Sequence, residues 1–195
     1  MDLSKEINTI LKEKFPILTY KDIDAFLNIT TYKKFDNKDI IFESGKLINK
    51  VFYILKGNIR GYIINDKGYE KNIWIRSEGV FIGDTKSLFN QEPQTFSYKS
   101  IEETHILLFD YRKFEALALE NKNLLLLYID TLKEANLILS YRVQSMITMS
   151  PEDRYLDIVK WNPQFFNKSY NKYIADYLGI TNVSLSRIIN RIKNN

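Results

Sequence analysis

The stretch 171-NKYIADYLGITNVSLSRIINRI-192 decides how the C-terminal part of this chain folds. Its apolar residues recur at helical spacing on both sides of one glycine, which predicts two short helices packed at a steep angle. Ala175 allows the helices to approach closely, Gly179 supplies a left-handed turn, and Thr181 can cap the second helix. The residues of this pattern are Ile174, Ala175, Leu178, Gly179, Ile180, Leu185 and Ile188. The segment therefore predicts a helix-turn-helix, and the alternative is an ordinary helical hairpin.

Basic residues concentrate around this segment. From position 168 onward the chain has five basic residues and a single acid, Asp176. The basic residues are Lys168, Lys172, Arg187, Arg191 and Lys193. Since the whole chain has a net charge of +4, nearly all of the excess lies here. A contact with DNA needs positive charge gathered on one surface, so the pattern favours DNA binding over the alternative of a solvated basic tail.

The second helix of the motif offers one face for reading DNA. Because Leu185 and Ile188 point inward, Arg187 lies on the opposite face, where its guanidinium can make two hydrogen bonds to a guanine. Val183, Arg187 and Asn182 or Ser184 are predicted to reach base edges, and Asn190 lies on the same open face. Those predicted to contact phosphates are Lys172, Thr181, Ser186 and Arg191. The division between bases and phosphates stays open at each position.

A long helix is predicted over residues 121–148, because no glycine or proline occurs between Tyr111 and Pro151. Residues at alternating spacings of four and three form a coiled-coil seam along it. They are Leu125, Ile129, Leu132, Asn136, Leu139, Val143 and Met146. Leucine at the d positions, β-branched residues at a and one asparagine at a favour a parallel homodimer. The alternative is a helix packed against a β-barrel that residues 32–110 of the same chain are predicted to form, and a wide apolar stripe allows both contacts.

Residues from about 32 to 110 alternate short β-branched and aromatic runs with turn residues. The runs are residues 39–42, 50–55, 59–64, 71–75 and 104–109. The clearest turn is 65-NDKG-68, which indicates a β-hairpin. Closely spaced short strands predict an antiparallel barrel or sandwich. Residues 1 to about 30 have apolar residues at helical spacing instead and predict short amphipathic helices.

The sequence 150-SPED-153 predicts the start of another helix and of a second domain. Ser150 suits the N-cap, Pro151 the first helical position and Asp153 the third position of a capping box. We expect this helix to end at Asn162-Pro163. The boundaries predict a β-barrel domain at 1–120, a dimerisation helix at 121–149 and a helix-turn-helix DNA-binding domain at 150–195.

The composition excludes several functional classes. Without cysteine, the chain has no disulfide, thiolate zinc site, cysteine-held iron–sulfur cluster or thiol nucleophile. The sole histidine, His105, lies in a strand pattern that favours a structural role over haem ligation, and there is no phosphate-binding loop of the G-x-x-x-x-G-K type. We therefore predict no catalytic residues, no metal and no cofactor, so the protein is not expected to be an enzyme.

The sequence also bears on location. The N-terminus has no uninterrupted apolar segment of the signal-peptide type. The longest apolar run, residues 124–129, is far below the roughly 18–20 residues that a membrane span needs. We expect a cytoplasmic protein without a membrane partner.

Taken together, these elements resemble the Crp/Fnr family of bacterial transcription regulators over essentially the whole chain. The segment 51-VFYILKGN-58 is similar to the family's second barrel motif and 78-EGVFIGD-84 to its glycine-acid motif. The DNA-reading motif is matched by 174-IADYLGIT-181 followed by 184-SLSRI-188. The resemblance implies an α+β fold: an N-terminal antiparallel β-barrel (double-stranded β-helix or jelly-roll) sensor domain like the cyclic-nucleotide-binding domain, a long dimerisation helix and a C-terminal helical (winged-)helix-turn-helix domain.

The resemblance implies a homodimeric, sequence-specific regulator of transcription. Its partners would be double-stranded DNA, a second copy of the chain, RNA polymerase and a small-molecule effector. The alternative is a ligand-binding sensor protein that signals through protein contacts without specific DNA binding.

The effector is expected to differ from cyclic AMP. In cyclic-nucleotide-binding members of the family, the residue that matches Asp84 holds the ribose, and an arginine followed by serine or threonine holds the phosphate. The second site falls in residues 93–98, which contain no arginine. A cyclic phosphate needs a cationic or multi-donor cradle, which this segment lacks. The predicted effector pocket, for another small molecule if any, consists of Gly83, Asp84, Thr95 and Ser97.

Overall fold

The computed structural model describes residues 3–161 and 171–193. The described residues form two compact units, the first from 3–63 and 75–133 and the second from 64–74, 134–161 and 171–193. The predicted helix end at Asn162-Pro163 and the basic residue Lys168 lie outside the described residues. The predicted division at positions 120 and 149 stays a prediction.

Eight strands in the described residues form two four-stranded sheets. The strands are β1 (Thr30–Phe35), β2 (Ile40–Phe42), β3 (Lys50–Lys56), β4 (Asn58–Ile64), β5 (Glu70–Ser77), β6 (Phe81–Ile82), β7 (Ser97–Ser100) and β8 (Thr104–Asp110). The strand orders are β1-β8-β3-β6 and β2-β7-β4-β5. The five strands that the sequence predicts are present, and so is the β4–β5 turn, where Gly68 has a φ of +78°.

Helices precede, interrupt and follow the strands along the chain. Those of the described residues are α1 (Leu3–Lys14), α2 (Tyr20–Leu27), α3 (Thr85–Phe89), α4 (Tyr111–Glu120), α5 (Lys122–Thr148), α6 (Pro151–Trp161), α7 (Asn171–Leu178) and α8 (Asn182–Lys193). None of them is both long and apolar enough to cross a membrane. Ser150 caps α6 as predicted, since its Oγ accepts from the Asp153 N–H at 3.2 Å and donates to the Asp153 carboxylate at 2.6 Å.

An aromatic cluster joins the sheet β1-β8-β3-β6 to the helices of the first unit. Phe26 of α2 lies edge-on to Phe109 of β8, with ring centroids 5.1 Å apart, and to Phe114 of α4 at 5.9 Å. Leu124 and Leu127, at the start of α5, are buried in the same core. Burying a large aromatic or aliphatic side chain contributes about 1.5–3 kcal/mol each, so this cluster holds α2, α4 and the first turns of α5 on the sheet.

The carboxylate of Asp22 joins α2 to the start of α5. Its oxygens accept hydrogen bonds from the Asn121 and Asn123 amides, at 2.7 and 2.8 Å, and from the backbone N–H and hydroxyl of Thr19, at 2.7 and 2.8 Å. Burial by itself raises the pKa of Asp22, but these hydrogen bonds outweigh it and hold the pKa well below its usual range. The residue is therefore a charged tether between two helices.

Replacing Asp22 by asparagine keeps the shape of the side chain and removes its charge. At pH 7 we expect the free energy of unfolding to fall by roughly 1–3 kcal/mol, because bonds to a charged acceptor are lost. Since the folded-state pKa is lowered, the contribution is present above the unfolded pKa of about 3.9 and is lost as the pH falls below it. Urea unfolding at about pH 7 and pH 3 should show the deficit of D22N shrinking in acid.

The matched control for this experiment is Asp24→Asn. Asp24 lies on the same helix but is exposed, so D24N should change stability little at either pH. The role of Asp22 would be contradicted if D22N and D24N lost the same free energy of unfolding, or if the loss in D22N were as large at pH 3 as at pH 7.

Candidate nucleic-acid interface and effector site

The turn between α7 and α8 is closed by hydrogen bonds of the Schellman type. Gly179 is left-handed, with a φ of +71°, and its N–H donates to the Asp176 carbonyl at 3.0 Å. The Ile180 N–H donates to the Ala175 carbonyl at 2.9 Å. Thr181 caps α8, since its Oγ1 accepts from the Ser184 N–H at 3.1 Å. The two helices and the turn predicted from the sequence are thus present, while their use on DNA stays a prediction.

The inward face of this helical pair is apolar and closely packed. The predicted core residues Ile174, Ala175, Leu178, Leu185 and Ile188 are all buried. Ala175 and Leu178 of α7 and Leu185 of α8 have 1% or less of their surface exposed. With its inward face filled by its own residues, α8 leaves its opposite face to solvent.

The predicted DNA-contacting residues lie on the open side of the pair. Those exposed are Lys172, Thr181, Asn182, Val183, Ser186, Arg187, Asn190 and Arg191, and Ser184 is half-buried. Val183 is an apolar side chain with 62% of its surface exposed, one helical turn before Arg187. An exposed valine beside an exposed arginine is the combination that can meet a thymine methyl and a neighbouring guanine.

Two charges of the pair are engaged within the second unit. The Arg191 guanidinium forms an ion pair with Glu152 of α6 at 2.6 Å. The Asp176 carboxylate accepts from Lys71 and Asn72 of the β4–β5 hairpin, each at 3.2 Å. The sequence pattern predicted neither contact, because each joins residues that are far apart in the chain.

The predicted seam of α5 is largely exposed. Ile129, Leu132, Asn136, Leu139, Val143 and Met146 are exposed, and Leu125 is half-buried. Leu139 and Val143 have 62% and 60% of their surfaces exposed. Helix α5 therefore has two apolar faces. Leu124 and Leu127 pack into the core of the first unit, while the seam residues face outward. Pairing through this seam stays a prediction.

Asp84, the expected ligand residue of the barrel, is bonded to its own chain. Its Oδ1 caps α3 by accepting from the Ser87 N–H at 3.2 Å. Its Oδ2 accepts from the Thr95 and Phe96 N–H groups, at 2.9 and 3.3 Å. Asp84 has 4% of its surface exposed, so this carboxylate fastens the 94–97 segment to α3.

The other residues of the predicted pocket have different surroundings. Thr95 is exposed, and Ser97 is buried, with its hydroxyl bonded to the N–H and hydroxyl of Ser44. A Cβ added to Gly83 would lie 2.6 Å from Leu88 Cδ1, so the glycine is needed for close packing with α3. The structure brings Asp84 and Thr95 into direct contact and directs Ser97 toward Ser44.

Aromatic rings fill the space between the two sheets. Tyr98 of β7 lies edge-on to Phe52 of β3, with ring centroids 5.7 Å apart, and to Phe42 of β2 at 6.3 Å. Burial, with a smaller effect of Asp84, raises the pKa of Tyr98 well above its ordinary value. Arg60, a buried cation of β4, lies on the opposite face of the sheet, because its cross-strand neighbour is Lys99 whereas Tyr98 pairs with Gly61.

These residues offer a cyclic nucleotide few groups for its phosphate, and an effector other than cyclic AMP stays a prediction. Both oxygens of Asp84 are used by backbone donors, residues 93–98 contain no cation, and the space between the sheets holds aromatic rings. A cyclic phosphate bound without a fixed cationic cradle would lose its hydration and gain few charge-assisted hydrogen bonds in its place. The pocket at Gly83, Asp84, Thr95 and Ser97 stays a prediction for an effector of other chemistry.

His105 has hydrogen-bond partners on both ring nitrogens. Nδ1 lies 2.7 Å from the Tyr32 hydroxyl and Nε2 lies 3.1 Å from the Glu103 carboxylate. Hydrogen bonds from Lys34 and His105 lower the pKa of Glu103 to about 2. Such a bonded ring suits a structural role between β1 and β8. Among the described residues, no group of three or more histidine, aspartate and glutamate side chains could hold a metal ion.

Residues 32–121 match the cyclic nucleotide-binding domain family. This region covers nearly all of β1 through β8, together with α3 and α4. No curated protein matches the chain.

Several solved structures have the same fold along most of the chain. The regulator CLP of Xanthomonas campestris is similar with a TM-score of 0.69 at 12% identity, over 90% of this chain and 92% of CLP. FixK2 of Bradyrhizobium japonicum gives 0.71 at 13% identity, over 85% of each chain. The catabolite activator protein of Thermus thermophilus gives 0.51 at 19% identity, over 93% of this chain and 86% of that one. The predicted α+β fold, with a jelly-roll barrel, a long helix and C-terminal helices, is confirmed.

Cyclic AMP and cyclic GMP should leave the melting temperature unchanged at about 1 mM. A nucleotide with a Kd of about 10 µM would add about 2.7 kcal/mol to stability at that concentration, which would raise Tm by several degrees. The control is Asp84→Ala, which should lower Tm without any nucleotide, because three N–H groups lose their acceptor. A rise of several degrees in the wild-type protein that D84A abolishes would contradict our assignment of Asp84.

Proposed function

We propose that this protein is a homodimeric, sequence-specific transcription regulator of the Crp/Fnr type that reads double-stranded DNA with α8. The observation that carries the proposal is the face of α8, where Val183, Arg187 and Asn190 are exposed above a core closed by α7. CLP, which has the same fold, is a c-di-GMP-responsive global regulator linked to virulence gene expression. That relative supports a regulatory role for this fold.

Each exposed side chain of α8 suits one part of a DNA site. Arg187 can donate two parallel hydrogen bonds to guanine O6 and N7, and Val183 can contact a thymine methyl group. Asn182 and Ser184, at the start of the helix, can reach neighbouring base edges. Discrimination by one bidentate arginine is worth about 1–3 kcal/mol, so Arg187 is the principal reader in this proposal.

The phosphate contacts are Lys172, Thr181, Ser186 and Arg191, and Arg191 needs a further step. Its guanidinium is paired with Glu152. An exposed ion pair contributes only about 0–1 kcal/mol, so a DNA phosphate can replace the carboxylate at small cost. The positive charge offered to DNA therefore rests first on Lys172 and Arg187, which form no ion pair with any described residue.

Dimerisation through α5 supplies the two-fold axis that a palindromic operator needs. The seam exposes a row of apolar side chains, and water-exposed leucine and valine are stabilised by pairing with a second copy. Asn136, exposed in the middle of the row, fixes a parallel register. In such a dimer the two α8 helices would enter successive major grooves, roughly 34 Å apart.

The remaining roles follow from this proposal. The barrel of residues 1–120 would receive an effector other than a cyclic nucleotide, the helix at 121–149 would transmit its effect, and residues 150–195 would bind DNA. RNA polymerase would be the further partner, in the cytoplasm. A second candidate, a sensor that acts through protein contacts, is favoured by the exposed Ile64 and Tyr69 at the tip of the β4–β5 hairpin, since exposed apolar patches suit protein partners.

Selection of bound duplexes from a random DNA pool tests the proposal. We expect a near-palindromic consensus whose half-sites lie about 10 base pairs apart, centre to centre. On the selected site, R187A should lose about 10- to 100-fold in affinity, with the loss confined to one base position in each half-site. K172A is the matched variant, which should weaken all sequences alike and reduce the salt slope by about one.

The results separate the candidate functions. Absence of any enriched sequence, together with an affinity for DNA that does not fall with salt, would favour the protein-contact sensor. If R187A binds the selected consensus as tightly as the wild-type protein, the assignment of Arg187 as a base-contacting residue is wrong.

The dimer seam can be tested on a single helix. Leu139→Glu places a charge in the seam and should convert the dimer to monomers in sedimentation or light-scattering measurements. Leu137→Glu is the control, because Leu137 is 70% exposed on the same helix but lies outside the seam. Dimers that survive L139E, or that L137E disrupts equally, would contradict the seam.

A further inference from the structure

The last four carbonyls of α7 all have hydrogen-bond donors, and two of these donors come from other helices. An α-helix leaves its last four carbonyls without partners in the helix. The turn itself supplies two donors, since the Ala175 and Asp176 carbonyls accept from Ile180 and Gly179. The carbonyls of Tyr177 and Leu178 are left for donors from outside the motif.

Two arginines supply those donors. Arg142 of α5 donates to the Tyr177 carbonyl, and its guanidinium lies over the Tyr177 ring, 3.9 Å from the centroid. Arg154 of α6 donates to the Leu178 carbonyl at 3.1 Å. The end of α7, directly before the Gly179 turn, is therefore held by α5 and α6 together.

Arg154 also binds the end of α5. Its Nη1 donates to the Met149 carbonyl at 2.8 Å and lies 3.5 Å from the Met146 carbonyl, while its Nη2 makes the bond to Leu178. The side chain has 9% of its surface exposed, and within residues 3–161 and 171–193 its partners are backbone carbonyls. A buried cation with such partners is stabilised by the negative ends of two helix dipoles, here α5 and α7.

The geometry of this contact is specific to arginine. The planar guanidinium presents a rigid fork of donors, so one side chain fixes the ends of two helices at a set distance and angle. Lysine has the same charge but donates from one point and cannot span both helix ends. Met146 adds a packing contact, because its methyl carbon lies 3.2 Å from the position of a Cβ added to Gly179.

We propose that Arg154 and Arg142 are positioning residues for DNA recognition. They fix the carboxyl end of α7 to the end of α5, and through the Gly179 turn they fix the direction of α8. The proposal rests on the proposed function. Because α5 is the dimer helix in that function, the two arginines set the spacing between the recognition helices of the dimer. Neither arginine touches DNA in this assignment.

The test compares R154K and R142K with R112K. Arg112, on α4, donates to the side chain of Gln91 at an exposed position of the first unit, so R112K is a charge-conserving control. Affinity is measured for the selected operator and for an unrelated duplex, and amide hydrogen exchange is followed at Gly179, Ile180 and the first turn of α8. Melting temperature identifies any variant that fails to fold.

R154K and R142K should reduce the ratio of specific to non-specific affinity by about tenfold or more, because misaligned helices lose base contacts. Their affinity for the unrelated duplex should stay the same, since no charge is removed. Exchange at the turn should be faster, and R112K should match the wild-type protein in all measurements. A merely structural role would lower Tm without changing the specificity ratio of the folded protein.

The outcomes distinguish the proposal from the function on which it rests. If R154K and R142K both keep the wild-type ratio of specific to non-specific affinity, the positioning role is overturned, even if amide exchange at the turn is faster. If R154K does not fold, R142K decides alone. If the wild-type protein selects no DNA, the proposed function fails, and exchange then decides whether the arginines fix the turn: faster exchange supports this, and unchanged exchange overturns it.

Discussion

Backbone groups at helix ends need partners, and several of the side chains that supply them in this protein also bind a second segment of the chain. Asp84 caps α3 and at the same time holds the backbone of Thr95. Asp22 belongs to the cap of α2 and at the same time binds Asn121, at the start of α5. Each such side chain satisfies a helix end and also fixes that end against a second segment. The placement of the helices depends on these few directional contacts, with the aromatic core supplying most of the burial energy.

The capping role of Asp84 differs from the ligand-binding role that the resemblance implies for this residue of the barrel. The resemblance assigns the position of Asp84 to a ligand's ribose, whereas here the carboxylate already accepts hydrogen bonds from three N–H groups of its own chain. Asp84 thereby binds the backbone of Thr95 and Phe96 as well as that of α3, so it has a structural role without any ligand. In the proposed function, an effector that displaced these N–H groups from Asp84 would have to offer hydrogen bonds of its own in their place.

The sequence predicts the elements whose signals are local. The heptads of α5, the capping residues Ser150 and Thr181 and the left-handed Gly179 were all recognisable, because each acts within a few residues of its place in the chain. Strand β7 was not predicted, since Ser97–Ser100 is mostly polar and is a strand because of its partners β2 and β4. The cation-free segment 93–98 was also evident from the sequence, but the hydrogen bonds of Asp84 to Thr95 and Phe96 could be seen only in the fold.

The arginines show why the candidate site was only partly predictable. In sequence, Arg154 and Arg187 are equivalent positive charges near the same motif, yet Arg154 is buried against backbone carbonyls and Arg187 is exposed. Arg191 is paired with Glu152, so the charge count overstates the free positive charge of the α8 face. In the proposed function, base contacts by α8 provide the sequence specificity, and such contacts demand an accurately placed helix. That demand gives the buried arginine a role that its charge alone does not reveal.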